Sequence, residues 1–373
     1  MSKTLQIIIG IIIIIVIVVL VVVFSGEKGE KETIKIGVIL PLTGEAASAG
    51  ENSLAGIVLA VKEVNDKGGI LGRKIELIIE DDKCSSEGVN AMNKLINIDK
   101  VVAVLGPACS ASGGPALPIV QENKIPAVIT ASAPHLTKIG DYIFRVYPSD
   151  TFQGEFAAEY IFNELEKKKV AVIYVKNDWG QGLRDVFVQK FKELGGEIIS
   201  DDAVTQETKD FRTQLTKIKS SEAEILYFPV YPANGIAAFK QIKELGFDIP
   251  VIGADSFSWE EVIKSDYGDG ILFTLAKFDT PEDFKSKINS LSGYENLEVM
   301  YAAPLYYDAA KVMLEAIEKA GKLDKQSIRD ALARTSYKGV SLPLIEFDDN
   351  GDIKTAVYEV QIIRDKKSET YEK

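Results

Sequence analysis

Short aliphatic and β-branched runs alternate with amphipathic stretches along most of this chain, and few architectures accommodate that order. Lys35–Leu40 reads as a strand. Leu54–Val64 reads as a helix, because its apolar positions Leu54, Ile57, Val58 and Val61 fall three and four residues apart. Ile75–Ile79 and Val101–Leu105 read as further strands, separated by a helical stretch carrying Val89, Met92, Leu95 and Ile96. Ala116–Gln121 reads as helix and Ala127–Thr130 as the next short strand. Repeated βα units of this kind imply a mostly parallel sheet with helices on both faces.

The pattern restarts after Arg145–Asp150. Asp150 and Gln153 stand at capping-box spacing before a helix running through Leu165. Val170–Val175 follows as a strand, then a helix with Leu183, Val186, Phe187, Phe191 and Leu194 on one face, stopped at Gly195-Gly196. Phe211, Leu215 and Ile218 mark another helix, Ile225–Phe228 a strand, Ile236–Leu245 a helix and Val251–Gly253 a strand. Two Rossmann-like α/β lobes are the consequence. Beyond them, Tyr301–Ala320 and Lys325–Ala333 read as helices, with Leu344–Phe347 and Val357–Ile363 as strands around a polar turn at Asp348–Asp352. These segments complete the two lobes, so the chain is expected to cross between them more than once. The expected division is 34–148 with about 279–338 for lobe 1, 149–278 with about 339–363 for lobe 2, and a frayed charged tail over 364–373.

The opening of the chain is of another kind. Leu5 to Phe24 is an apolar run of twenty residues with Gln6 as its one strongly polar member. As a helix it measures roughly 30 Å, the thickness of a hydrocarbon core. Two readings stand for residues 1–26, a membrane anchor and a cleaved signal segment; the length of the run and its VVVFSGE ending, without an A-x-A-like site, favour the anchor. Both place the rest of the chain outside the membrane. A net charge of −12 argues against nonspecific nucleic-acid binding. With one histidine, His135, and two cysteines, Cys84 and Cys109, there are too few soft ligands for a zinc cluster, and no metal or cofactor is expected.

Two glycine-bearing turns follow strands: GEAASAG at Gly44–Gly50 and GPACSASGG at Gly106–Gly114. Neither is a dinucleotide fingerprint or a P-loop. Both still allow close backbone approach and leave N–H groups free at a helix start, where a carboxylate is well received. Ser110 and Ser132 lack the G-x-S-x-G setting of a hydrolase nucleophile, and His135, between Pro134 and Leu136, reads as a loop histidine. No catalytic residue is assigned.

Taken in order, these segments resemble the branched-chain amino-acid-binding proteins of ABC importers, and more broadly the type I periplasmic-binding fold. The resemblance is carried by IKIGVILPLTGEAASAGENSLAGIVLAVKEVNDKGGILGRKIELIIEDD, VVAVLGPACSASGGPALPIVQENKIPAVITASAPHLT, FRVYPSDTFQG and VKNDWGQGL. It is strong from about Ile34 to Phe278 and weaker beyond. It implies two lobes joined by several hinge strands, with ligand between them. It implies that Ser110, with neighbouring N–H groups, Ala131 and Ser132 receive an α-carboxylate, and that Asp255 in VIGADSF holds an ammonium. Tyr231 and Trp179 then cover the closed cleft, and Cys84 pairs with Cys109 as a disulfide beside it. Ala49 departs from the pattern, since a well-studied branch of the family carries tyrosine there.

The expected function is therefore non-enzymatic capture of an amino acid or amide by lobe closure, with delivery to permease subunits at the membrane. A ligand-sensing ectodomain working with a signalling partner is the main alternative. A secreted hydrolase is the alternative from a different class.

Overall fold

The computed structural model describes residues 32–372, so the apolar run at 5–24 lies outside the described residues. The elements of the first half run in chain order as β1 (Ile34–Leu40), α1 (Ala47–Asp66), β2 (Ile75–Asp81), α2 (Gly88–Asn93), β3 (Ala103–Leu105), α3 (Ser110–Glu122), β4 (Ala127–Ile129) and β5 (Ile143–Arg145). They form a parallel five-stranded sheet in the order β2-β1-β3-β4-β5. Strand alternation sorts the apolar side chains of β1 between its two faces. Ile34, Ile36, Val38 and Leu40 pack into one core and Ile39 into the other. Its central position explains why β1 is apolar nearly throughout, whereas the edge strand β2 carries glutamates and an aspartate.

The second half continues with α4 (Asp150–Glu159), β6 (Lys169–Val175), α5 (Asp178–Glu193), β7 (Glu197–Val204), α6 (Arg212–Lys219), β8 (Ile225–Phe228), α7 (Pro232–Glu244), β9 (Val251–Gly253), α8 (Glu260–Ile263) and β10 (Leu272–Ala276). The chain then adds α9 (Glu282–Asn289), α10 (Ala302–Ala320), α11 (Lys325–Leu332), β11 (Ser336–Tyr337), β12 (Ile345–Glu346), β13 (Tyr358–Arg364) and β14 (Lys367–Thr370). The second sheet has the order β14-β13-β10-β9-β8-β6-β7, parallel from β7 to β10 and antiparallel at β13 and β14. Here too β6 divides: Ala171, Ile173 and Val175 face one core, Val170 and Val172 the other.

Helix α10 returns to the first sheet and lies against α1. Their backbones approach at Gly56, where an added Cβ would stand 2.0 Å from the Ala303 carbonyl oxygen. Gly321, at φ 66°, ends α10 in the left-handed conformation that glycine adopts freely. The chain passes between the sheets at 146–149, 277–279 and 354–357. The second and third passages are joined, Lys277 N donating to the Val357 carbonyl at 2.8 Å.

Several expectations are revised. The segment at about 339–363 does not join lobe 2 as one piece. Ile345, Phe347 and Ile353 pack in the first core, held there by Arg145 and Asp352, while β13 pairs with β10. The stretch expected as a frayed tail over 364–373 is ordered through residue 370, because Lys367–Thr370 pairs with β13 as a strand. The connecting residues Asp365 and Lys366 take φ of 48° and 59°, as a tight hairpin turn with two left-handed positions requires. Ser149, not Asp150, caps α4, accepting from Thr151 N at 3.3 Å. Gln153 turns inward and donates to Thr274 Oγ1 at 2.9 Å. β5, β7 and β10 are strands that the hydrophobic pattern did not single out.

Candidate functional site

In an open α/β sheet, chain leaving the carboxyl ends of the strands collects at the point where strand order reverses, and ligands bind there. The first sheet reverses between β1 and β3, the second between β6 and β8. These two crevices face each other. Pro41 follows β1, Ala108 to Ser110 follow β3, Thr130 and Ser132 follow β4, and Tyr147 follows β5; all line one cleft. Trp179, Tyr231 and Asp255, which follow β6, β8 and β9, line it from the other sheet. The enclosed space that water-sized molecules can occupy in it is about 70 Å³.

The lobe 1 wall is built of small residues and hydroxyls. Helix α3 begins at Ser110 behind Cys109, which has extended backbone and offers no side-chain cap. The first-turn N–H groups of α3 therefore carry the positive end of a thirteen-residue helix without an internal acceptor. Ser110 Oγ accepts from Ala133 N at 3.0 Å, which leaves its own hydrogen free to be donated. Ala131 itself does not line the cleft. It is fully buried, and its carbonyl accepts from Arg145 Nη1 at 3.2 Å. Arg145 also holds the Ala133 carbonyl at 2.8 Å and Asp352 at 2.6 Å, so this buried guanidinium pins the Ala131–Ala133 loop from behind.

The Cys84 and Cys109 sulfurs are bonded, with Cα atoms 5.3 Å apart. The bridge closes a 25-residue separation between the end of β2 and the start of α3. Next to it, Asp82 is buried and accepts from Ser112 Oγ at 2.7 Å and Cys84 N at 2.9 Å. Burial outweighs these bonds and raises its pKa to about 6.

The lobe 2 wall is aromatic and acidic. Trp179 stacks on Tyr231 with ring centroids 5.0 Å apart and planes 21° apart, and Trp259 continues the stack at 6.2 Å and 25°. Asn177 caps α5 by accepting from Gly180 N at 3.0 Å, which fixes Trp179 in the first helical turn. Tyr231 reaches lobe 1, its hydroxyl 3.8 Å from Cys84 Sγ.

Asp255 is the only charged residue among those lining the cleft. Its Oδ2 accepts from Tyr147 OH at 3.1 Å, across the two lobes. Its Oδ1 is enclosed and has no hydrogen-bond partner among the described residues. Burial pushes the carboxyl up to about 6. A second carboxyl, Asp150, lies behind Ser132, whose carbonyl accepts from Asp150 N at 2.9 Å. Burial, with the charge of Asp255 added, holds Asp150 well above the usual carboxylate range.

Five of the six residues assigned from sequence, namely Ser110, Ser132, Trp179, Tyr231 and Asp255, thus meet in one cleft. Sequence reasoning missed Tyr147, Trp259, Tyr301 and Tyr306. Tyr147 sits inside the FRVYPSD segment and Trp259 four residues past Asp255, but neither spacing marks a cleft residue. His135 stands elsewhere, exposed, with Nε2 3.8 Å from Asp178 Oδ2 across the lobes.

The periplasmic binding protein family model matches residues 33–367. A Leu/Ile/Val-binding protein of Rhizobium johnstonii is 33% identical over 327 residues, covering 86% of this chain and 89% of that protein. Among solved structures, a leucine-binding protein of Thermotoga maritima aligns with a TM-score of 0.83 and 30% identity, over 91% of this chain and 98% of its own. The branched-chain amino acid transporter substrate-binding protein of Streptococcus pneumoniae, solved with isoleucine, aligns with a TM-score of 0.80 and 27% identity, over 91% and 99%.

Proposed function

This chain belongs to the periplasmic binding protein family, in the Leu/Ile/Val-binding branch of ABC importers, and from that premise we propose how it takes its ligand. It is a solute-binding component working outside the membrane with a permease, and it is a binding protein, not an enzyme. The ligand is an α-amino acid with an apolar side chain, branched-chain or related. Its carboxylate sits at the start of α3, received by first-turn N–H groups and by the Ser110 and Ser132 hydroxyls. That donor set replaces hydration without a cationic side chain. Ala131 contributes as part of the loop that Arg145 holds in place.

The observation that carries this reading is Asp255 Oδ1. An enclosed carboxylate oxygen without a partner, facing a cleft that has no other charge, fits an ammonium that supplies three donors. Trp179 and Tyr231 then close over the ligand, so binding energy shifts an open–closed equilibrium in place of lowering a chemical barrier. Residues Leu5 to Phe24 tether the receptor beside its permease, a reading supported by the length and purity of the run.

Calorimetric titration of the full chain in detergent with leucine, isoleucine, valine and phenylalanine tests this. Asp255→Ala is expected to lose about 2–5 kcal/mol of binding free energy while keeping its circular dichroism spectrum. Unchanged affinity in the folded variant removes Asp255 from the site.

A further inference from the structure

The two walls of the cleft differ in how they meet a ligand's side chain. On lobe 1, α1 presents Ala49 and Ser53, and α10 begins with Ala302; none of these reaches far into the cleft. Lobe 2 contributes the indole of Trp259 to the same cleft, at one end of the stack that runs through Tyr231 to Trp179. The α8 segment that follows Trp259 touches α1 directly, Ser48 Oγ donating to Glu261 Oε2 at 3.1 Å. Lys264 Nζ lies 3.6 Å from Glu298 on the same rim. These contacts, with a hydrogen bond between Tyr301 and Trp259, hold Trp259 at the lobe 1 rim beside the starts of α1 and α10.

We propose that Trp259 determines which side chain the cleft accepts, and that it does so in the closing step. The proposal rests on the reading of Asp255 and Ser110 as the two grips on an amino acid. With the head group held between them, the side chain projects toward Ala49 and Ala302 and receives its large apolar partner from lobe 2. An indole covers a large, rigid apolar area. A side chain long enough to reach it, aliphatic or aromatic, gains that contact on closure, and alanine or glycine does not. The first encounter with open lobe 1 is then nearly indifferent to the side chain, and selectivity appears in the dissociation rate of the closed complex.

Two variants of the full chain in detergent test this against a panel of glycine, alanine, leucine and phenylalanine. Trp259→Ala is expected to weaken leucine and phenylalanine by about tenfold or more while alanine changes by less than about threefold. Trp259→Phe, which keeps an aromatic ring in the stack, restores most of the difference. Ala49→Trp fills the opposing space from lobe 1 and is expected to invert the preference toward alanine; it serves as the independent readout if Trp259→Ala does not fold. Stopped-flow measurements should place the leucine loss in the off-rate. A wild-type chain that binds none of the panel overturns the amino-acid reading itself. Binding by wild type with an equal loss for alanine and leucine in Trp259→Ala, or an unchanged preference in Ala49→Trp, overturns the role of Trp259 alone.

Discussion

Asp255 and Ser110 show how differently two residues of one site depend on their surroundings. The Ser110 hydroxyl works because Ala133 N has taken one of its lone pairs, which orients the group. Asp255, in the proposed reading, holds an ammonium because burial makes its charge costly until a cation arrives. Its pKa stands at about 6, against about 3.9 in an unfolded chain. The folded, unliganded protein thus holds this proton more tightly than the unfolded chain does. The associated stability is present below about pH 4 and is lost as pH rises through about 6. Ligand affinity has the opposite sign. An ammonium favours the ionised carboxylate, so affinity should rise by up to tenfold per pH unit approaching pH 6 and level off above it. Titrations from pH 4.5 to 8 check this. The residual binding of Asp255→Asn should lack the slope, which separates Asp255 from Asp82, another buried carboxyl raised to about 6.

Among the elements, central strands were legible and, β2 apart, edges were not. β1, β6 and β8 are apolar because both faces are covered, and their residues announce it. β7, at an edge, reads EIISDDAV without a period-two alternation, and β5 has three residues, too few for a period. β10 is a short apolar run whose pattern does not distinguish strand from buried helix. β14 hides behind Asp365 and Lys366, which take the left-handed turn conformation without a glycine to signal it. Helix pairing is equally silent in sequence. The approach of α1 to α10 depends on Gly56, and Gly56→Ala would drive a methyl group into the Ala303 carbonyl. That substitution should cost about 1–3 kcal/mol or more, read as a lower urea midpoint at unchanged slope.

At the scale of the whole molecule, three passages of chain join two lobes that touch across a shared cleft. Tyr147–Asp255, Ser48–Glu261 and Lys264–Glu298 pair across the cleft, so moving the lobes apart would break them. The two rim pairs, Ser48–Glu261 and Lys264–Glu298, are exposed and hold the closed form weakly by themselves. Ligand is expected to supply the remainder. Small-angle scattering should show a smaller radius of gyration on adding leucine to wild type and no change in Asp255→Ala. At a hundredfold excess over its dissociation constant, ligand should add about 2.7 kcal/mol to stability, seen as a raised melting temperature.

By itself the sequence determined that this is an exported α/β chain with βα units in two sets, because hydrophobic period and run length are local properties of neighbouring residues. Its resemblance to the family singled out Ser110, Ser132, Trp179, Tyr231 and Asp255, which the fold brings to one cleft. Only the tertiary structure decided that 345–353 returns to the first lobe, that Arg145 pins the Ala131 loop, and that Trp259 shares a cleft with Ala49. The first and last of these bring together residues more than a hundred positions apart, and Arg145 reaches its carbonyls through a side chain that Asp352, 207 positions on, holds in place. No local pattern records a contact that exists only once two separately folded surfaces have come together.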